Sequence, residues 1–158
     1  MAKIAIIMGS RSDLEIMNEA ANVLKEFGVG YEMKVLSAHR TPKEVAKFSE
    51  EACDNGVSVI IAGAGAAAAL PGVIAAHTTL PVIGVPIDAT SLKGIDALLS
   101  IAQMPGGIPV ACMAIGKAGA KNAGILAVEI LAVTDKALEK KLTAYKKNLA
   151  DKVKAIKL

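Results

Sequence analysis

The amino-acid sequence predicts an α/β protein: a three-layer sandwich of flavodoxin type, with a parallel sheet, helices on both faces and a long C-terminal helix. Three observations predict it. Short runs of apolar residues alternate with stretches of helical periodicity five times along the chain. Lys3–Met8 (KIAIIM) and Val57–Ala62 (VSVIIA) are continuous apolar runs rather than alternating ones, as in strands buried on both faces. The length, 158 residues, suits one domain over 1–158, with no linker, repeat or low-complexity segment beyond an alanine tract.

The elements follow in order. Lys3–Met8 is the first strand, broken by Gly9-Ser10-Arg11-Ser12-Asp13. Leu14, Met17, Ala20 or Ala21, Leu24 and Phe27 then recur at helical spacing, with Ser12 or Asp13 at the N-cap and Gly28 as the stop. Tyr31–Leu36 is the second strand. Thr41-Pro42-Lys43-Glu44 reads as a capping box with proline at the first helical position, opening a helix that runs to about Asn55. Val57–Ala62 is the third strand, Gly63–Gly65 a turn, and an alanine-rich helix follows to about His77. Pro81–Val85 is the fourth strand, Leu92–Gln103 a helix and Ile108–Ile115 the fifth strand. From Ala120 onward the pattern is helical, with a break near Val133–Lys136. In the tail, Leu138, Leu142, Tyr145, Leu149, Val153 and Ile156 form one apolar stripe on a lysine-rich helix. Crossovers in such a sheet are right-handed.

Composition removes several function classes. Hydrophobic residues make up 53% and charged residues 21%, which excludes a disordered chain. There are two Tyr, two Phe and no Trp, leaving little with which to stack bases, so no nucleic-acid platform is expected. The net charge of +3 is uneven: residues 134–158 carry eight lysines against three acids, which reads as a solvated helix face. Cys53 and Cys112 offer neither a disulfide framework nor zinc spacing, and fit two reduced thiols in a cytoplasmic protein. The apolar stretch Val57–Ala76 is interrupted by Gly63, Gly65, Pro71 and Gly72, so no membrane span is expected. The N-terminal apolar run is too short for a signal peptide. A mean hydropathy of +0.48 is high for a small soluble monomer and predicts burial against copies of the same chain, a homo-oligomer.

In an open parallel sheet, ligands bind outside the carboxyl ends of the strands. Four segments are expected to converge there: Gly9–Asp13, Ser37–Thr41, Gly63–Gly72 and Pro86–Ser91. The first puts Gly9, for close backbone approach, and the hydroxyls of Ser10 and Ser12 beside a helix N-terminus, a place suited to an anion. It lacks both the Walker ending and G-x-G-x-x-G, and it would equally serve as an ordinary capped helix. Asp13 repels a phosphate but accepts hydrogen bonds from hydroxyls such as a ribose diol. In the second segment, beginning at Ser37, His39 is able to give and take a proton near neutral pH, and Arg40 offers a planar fork to phosphate or carboxylate. The plain alternative is a surface loop with a solvated histidine. The third segment offers backbone rather than side chains, which suits either a flat ligand or close helix-on-sheet packing. His77 reads as a C-terminal helix cap. Metal binding has no support, because two His and two Cys are widely scattered. The sequence contains no G-x-S-x-G elbow, and Asp13 and Asp88 are the sole carboxylates expected near the cleft.

Several motifs come in a fixed order: Met8-Gly9-Ser10-x-Ser12-Asp13, Ser37-Ala38-His39-Arg40-Thr41-Pro42, Ala62-Gly63-Ala64-Gly65, Leu70-Pro71-Gly72, Leu80–Pro86 and Gln103-Met104-Pro105. Over about residues 3–150 the chain thereby resembles the bacterial N5-carboxyaminoimidazole ribonucleotide mutases of purine biosynthesis, the PurE family. The resemblance implies a flavodoxin-like fold, a homo-octamer with the C-terminal helix reaching over neighbouring subunits, and a cytoplasmic enzyme. The implied isomerase reaction moves a carboxylate from the exocyclic nitrogen of the aminoimidazole to ring carbon 4, with no metal, nucleotide cofactor or ATP. Position by position, His39 matches the catalytic histidine, and Ser10, Asp13 and Arg40 match ribonucleotide contacts. Gly9, Ser12, Ser37, Gly63, Gly65 and Leu70 complete the expected binding set. The family usually reads G-A-G-G-A-A-H-L-P-G in the third segment; here Ala66 replaces the glycine at its fourth position and Ala69 the histidine. That leaves His39 as the one imidazole expected there. Two alternatives stay open: a related carboxylase acting directly on the aminoimidazole ribonucleotide with CO2, and a paralogue that binds the ribonucleotide without catalysis.

Overall fold

The computed structural model describes residues 3–157, so the expected domain limits at 1 and 158 lie outside the described residues. Five parallel strands form one sheet: β1 (Lys3–Met8), β2 (Gly30–Val35), β3 (Val57–Gly65), β4 (Val82–Ile87) and β5 (Ala111–Cys112). Their order is β2-β1-β3-β4-β5. The helices are α1 (Leu14–Phe27), α2 (Pro42–Glu51), α3 (Leu70–Ala76), α4 (Ile95–Ala102), α5 (Lys117–Ala132) and α6 (Lys136–Lys154).

The continuous apolar runs are resolved into two faces by the period-two pleat. Ile4, Ile6 and Met8 of β1 join Val59 and Ile61 of β3 beneath α1 and α5. Ala5 and Ile7 join Ile60, Ala62 and Ala64 beneath α2, α3 and α4. The β1–β3 register shifts between Lys3 and Ile4, whose partners are Val57 and Val59, so Val57 packs on the same face as Ile60. Small residues such as Ala20, Ala120, Ala123 and Ala127 let α1 and α5 lie close together over the first face.

Several expected boundaries move, each for a local reason. The fifth strand shrinks from Ile108–Ile115 to two residues that pair with Ile83 and Gly84. It is an edge strand, and Pro109 has no amide to give. The helix expected from Leu92 starts at Ile95, because Lys93 and Gly94 have φ of 51° and 84°. The alanine tract is not helical before Leu70, and Gly63–Gly65 extends β3 instead of turning. The helix expected to reach Asn55 ends at Glu51, and the one expected from Ala120 begins at Lys117.

The tail stripe divides. Leu138 and Leu142 are buried against the chain's own core, and Tyr145 meets Phe27 edge-on at 5.6 Å between ring centres. The Lys141 ammonium donates to the Phe27 carbonyl at 2.7 Å, capping the end of α1. Beyond that point Leu149, Val153 and Ile156 are 45%, 69% and 67% exposed, so half the stripe has no cover within one chain.

Candidate active site

In this strand order the chain leaves β1 toward β2 and then crosses to β3 on the other side, which makes the β1/β3 boundary the switch point of the sheet. A cleft of about 410 Å³ opens there, within the size range of small-molecule sites. Its lining comes from the ends of β1 (Gly9, Ser10, Ser12, Asp13), β2 (Ser37, Ala38, His39, Arg40) and β3 with the following segment (Ala64, Gly65, Ala66, Ala68, Ala69, Leu70), plus Ala89 after β4. Every lining residue therefore lies between Gly9 and Ala89.

The β1 segment forms a single 3-10 turn, Arg11–Asp13, that feeds α1. The cap sits earlier than expected, at Ser10 rather than Ser12 or Asp13. Ser10 Oγ accepts from the Ser12 amide at 3.3 Å, and the Asp13 carboxylate accepts from the Ser10 amide at 3.1 Å, a reciprocal capping box. The Ser12 hydroxyl lies 2.9 Å from Ser10 Oγ and 3.3 Å from the Asp13 carboxylate. Asp13 is only 7% exposed. Burial pushes its carboxyl above the ordinary 3.8, while the Ser12 hydroxyl, the Ser10 amide and the Arg40 charge pull the other way.

On the β2 side the Arg40 side chain is braced. Its Nε donates to Ser37 Oγ at 3.3 Å and its Nη2 to the Gly9 carbonyl at 3.0 Å. The Gly9 amide in turn donates to the Gly63 carbonyl at 3.2 Å, so three strand ends are linked side by side. His39 stands exposed at the rim next to Arg40.

Nine of the ten expected site residues line this cleft; Gly63 does not. A β-carbon at Gly63 would collide with Met17 Sδ, so that glycine serves the packing of α1 on β3. One at Gly65 would lie 2.6 Å from Ala89 Cβ, which is why the β3 and β4 ends approach so closely at the cleft floor. Asp88 also lies outside the lining, and Ala89 is all that the fourth segment contributes. The alanines at 38, 64, 66, 68 and 89 carried no chemical signal of their own; only their position after strand ends could have marked them. His77 occupies the C-cap of α3, but its ring pairs with Glu50 at 3.0 Å, away from the cleft. Cys53 and Cys112 are free thiols. Among the described residues, no group of three or more His, Cys, Asp or Glu is placed to hold a metal ion, and no helix is long and apolar enough to cross a membrane.

Fold and cleft together define a flavodoxin-like α/β protein with its polar groups gathered over the sheet's switch point. Residues 3–152 match the AIR carboxylase family, and the chain belongs to it. The N5-carboxyaminoimidazole ribonucleotide mutase of Bacillus subtilis (strain 168) is 57% identical over 145 residues, covering 92% of this chain and 90% of the relative. The protein of the same name from Saccharolobus solfataricus is 51% identical over 158 residues, covering 100% and 99%. The crystal structure of Treponema denticola PurE matches with a TM-score of 0.86 at 31% identity, covering 97% of this chain and 94% of that one.

Proposed function

We propose that this chain converts N5-carboxyaminoimidazole ribonucleotide into 4-carboxyaminoimidazole ribonucleotide in purine biosynthesis, with His39 as the general acid and base. The observation that carries the reading is the shared cleft, in which His39 and the braced Arg40 face the Ser10–Asp13 helix start at the switch point of a sheet whose relatives bear the mutase name.

The His39 imidazolium protonates the exocyclic carbamate nitrogen, and the N–CO2 bond breaks to leave CO2 and the neutral aminoimidazole. Ring carbon 4, enamine-like, attacks the held CO2. The neutral imidazole then removes the carbon-4 proton, so the imidazolium is restored with the proton that carbon 4 gives up, while the first proton stays on the exocyclic amine. Holding CO2 against the ring replaces dissolved gas by a high local concentration. The methyl-lined floor at Ala64, Ala66, Ala68, Ala69 and Ala89 suits a flat ring and a small apolar gas. Arg40 and the hydroxyls of Ser10 and Ser12 take the phosphate, Asp13 the ribose hydroxyls, and the Ser37, Gly65 and Leu70 region the heterocycle.

The working form is a homo-oligomer, an octamer in our reading, located in the cytoplasm. The exposed tail residues Leu149, Val153 and Ile156 support assembly, because each would be covered by a neighbour.

Turnover of the carboxyamino substrate, and of aminoimidazole ribonucleotide with and without added bicarbonate, tests the reading. Turnover of the first without bicarbonate is expected, and its loss in His39→Asn with assembly intact. Activity only with bicarbonate makes the chain a direct carboxylase, and tight binding without turnover makes it a non-catalytic paralogue; either overturns the proposal.

A further inference from the structure

Thr41 departs from the helix-capping rule its own neighbourhood obeys. Thr41-Pro42-Lys43-Glu44 supplies the hydroxyl, the early proline and the third-position glutamate of a capping box. Yet Thr41, at φ −132° and ψ 53°, makes no side-chain cap to α2. Its hydroxyl turns back to Ser37, accepting from the Ser37 amide at 2.9 Å and donating to the Ser37 carbonyl at 3.1 Å. The Thr41 amide donates to that same carbonyl at 2.8 Å. Three hydrogen bonds between Thr41 and Ser37 thus close one turn around Ala38, His39 and Arg40, and the Arg40 amide adds a fourth by donating to Ser37 Oγ at 3.2 Å. A local rule broken at a cleft marks a place where another demand has won.

The two chemical residues in the turn are held differently. Arg40 is fixed through its own side chain, to the Gly9 carbonyl and to Ser37 Oγ. Among the described residues, no hydrogen bond reaches the His39 ring. The main chain beneath it therefore sets where the imidazole is attached and which way its Cα–Cβ bond leaves the turn. We infer that Thr41 is a positioning residue for His39: its hydroxyl, clasping both backbone groups of Ser37, aims the imidazole at the substrate, while Arg40 keeps a tie of its own outside the turn, to the Gly9 carbonyl. This rests on the mutase reading of the site.

The clasp predicts a split between kinetic constants. Thr41→Val keeps the branched shape and deletes the hydroxyl, and is expected to lower kcat about 10- to 100-fold, the effect of misplacing a proton-transfer group by an ångström or less. KM is expected to stay within about threefold of wild type, because the Arg40 anchor remains. Thr41→Ser, which keeps the hydroxyl, recovers kcat to within about threefold. Hydrogen exchange of the Thr41 amide reads the clasp without any turnover: about 10-fold faster in the valine chain and restored in the serine chain. If the valine chain fails to fold, Thr41→Ala replaces it in both measurements. The assignment is overturned by wild-type kcat in the hydroxyl-less chain, by a loss confined to KM, by serine no better than valine, or by an unchanged Thr41 amide. A wild-type chain without turnover overturns the mutase reading instead, so the two failures are told apart.

Discussion

The Arg40 guanidinium donates through Nη2 to the Gly9 carbonyl at 3.0 Å, joining positions 31 residues apart. The same side chain reaches Ser37 Oγ through Nε, so one planar group spans the ends of β1 and β2 and still presents N–H donors to the cleft. A lysine has the charge but not the fork. Arg40→Lys is expected to raise KM for the ribonucleotide about 10-fold and Arg40→Met about 100-fold, the range for charge-assisted hydrogen bonds to an anion. Steady-state kinetics and calorimetric binding of the ribonucleotide check this; a lysine chain equal to wild type would show that charge alone matters.

Asp13 gives a pH-dependent prediction. Burial holds its folded-state value above the 3.8 of the unfolded chain, so the carboxyl's contribution to stability is complete below 3.8 and is lost as pH rises through the raised value. At neutral pH the ionised carboxylate therefore works against the fold. Asp13→Asn keeps an oxygen for the Ser10 amide and removes the charge. Its melting temperature is expected to exceed that of wild type at pH 7 and to match it below 3.8, while substrate affinity falls about 10-fold. Melting curves across that range, paired with binding at pH 7, decide it; an asparagine chain less stable at pH 7 would contradict the sign.

Ala66 has φ of 53°, in the left-handed region, at the cleft wall. Alanine there is strained where glycine is not. Ala66→Gly is expected to stabilise the fold by about 1 kcal/mol, raising the melting temperature by about 2–4 °C. A lower melting temperature would mean that the 66–69 segment relaxes without cost. Ala66→Val should lose stability, since a β-branched residue resists this conformation more strongly.

The divided tail stripe separates folding from assembly. Cutting after Asn148 keeps Leu138, Leu142, Tyr145 and the Lys141 cap, and removes Leu149, Val153 and Ile156. This chain is expected to fold and to sediment as a smaller species. Cutting after Val133 also uncovers Phe27 and is expected to cost roughly 3–6 kcal/mol for two buried leucines, on top of any loss of assembly. Sedimentation and thermal unfolding of both chains test the division; an unchanged oligomer in the shorter truncation would place the exposed half of the stripe outside the subunit contacts.

The layers of this protein were legible in sequence because its central strands β1, β3 and β4 are apolar on both faces and its helices on one. The cleft was legible as four strand ends, since topology alone brings them together. What escaped was local. Alanine's helix preference in 66–69 yields to the left-handed Ala66 and to a helix that starts at Leu70 with Pro71 in its first turn. The capping chemistry of Thr41 yields to the turn that ends β2. The serine–aspartate cap moves to Ser10 because Asp13, nearly buried, finds the Ser10 amide and not the open end of α1. In each case a short-range preference of roughly 1 kcal/mol meets tertiary contacts that outweigh it.

All of the cleft wall within one chain comes from the stretch ending at Ala89. The remaining residues, from α4 through the lysine-rich tail, line none of it, yet Ala120, Ala123 and Ala127 of α5 share a core with α1 and β3. A substitution in α5 is therefore transmitted to the helix that Asp13 opens, whereas the exposed Leu149, Val153 and Ile156 are free to drift without disturbing it.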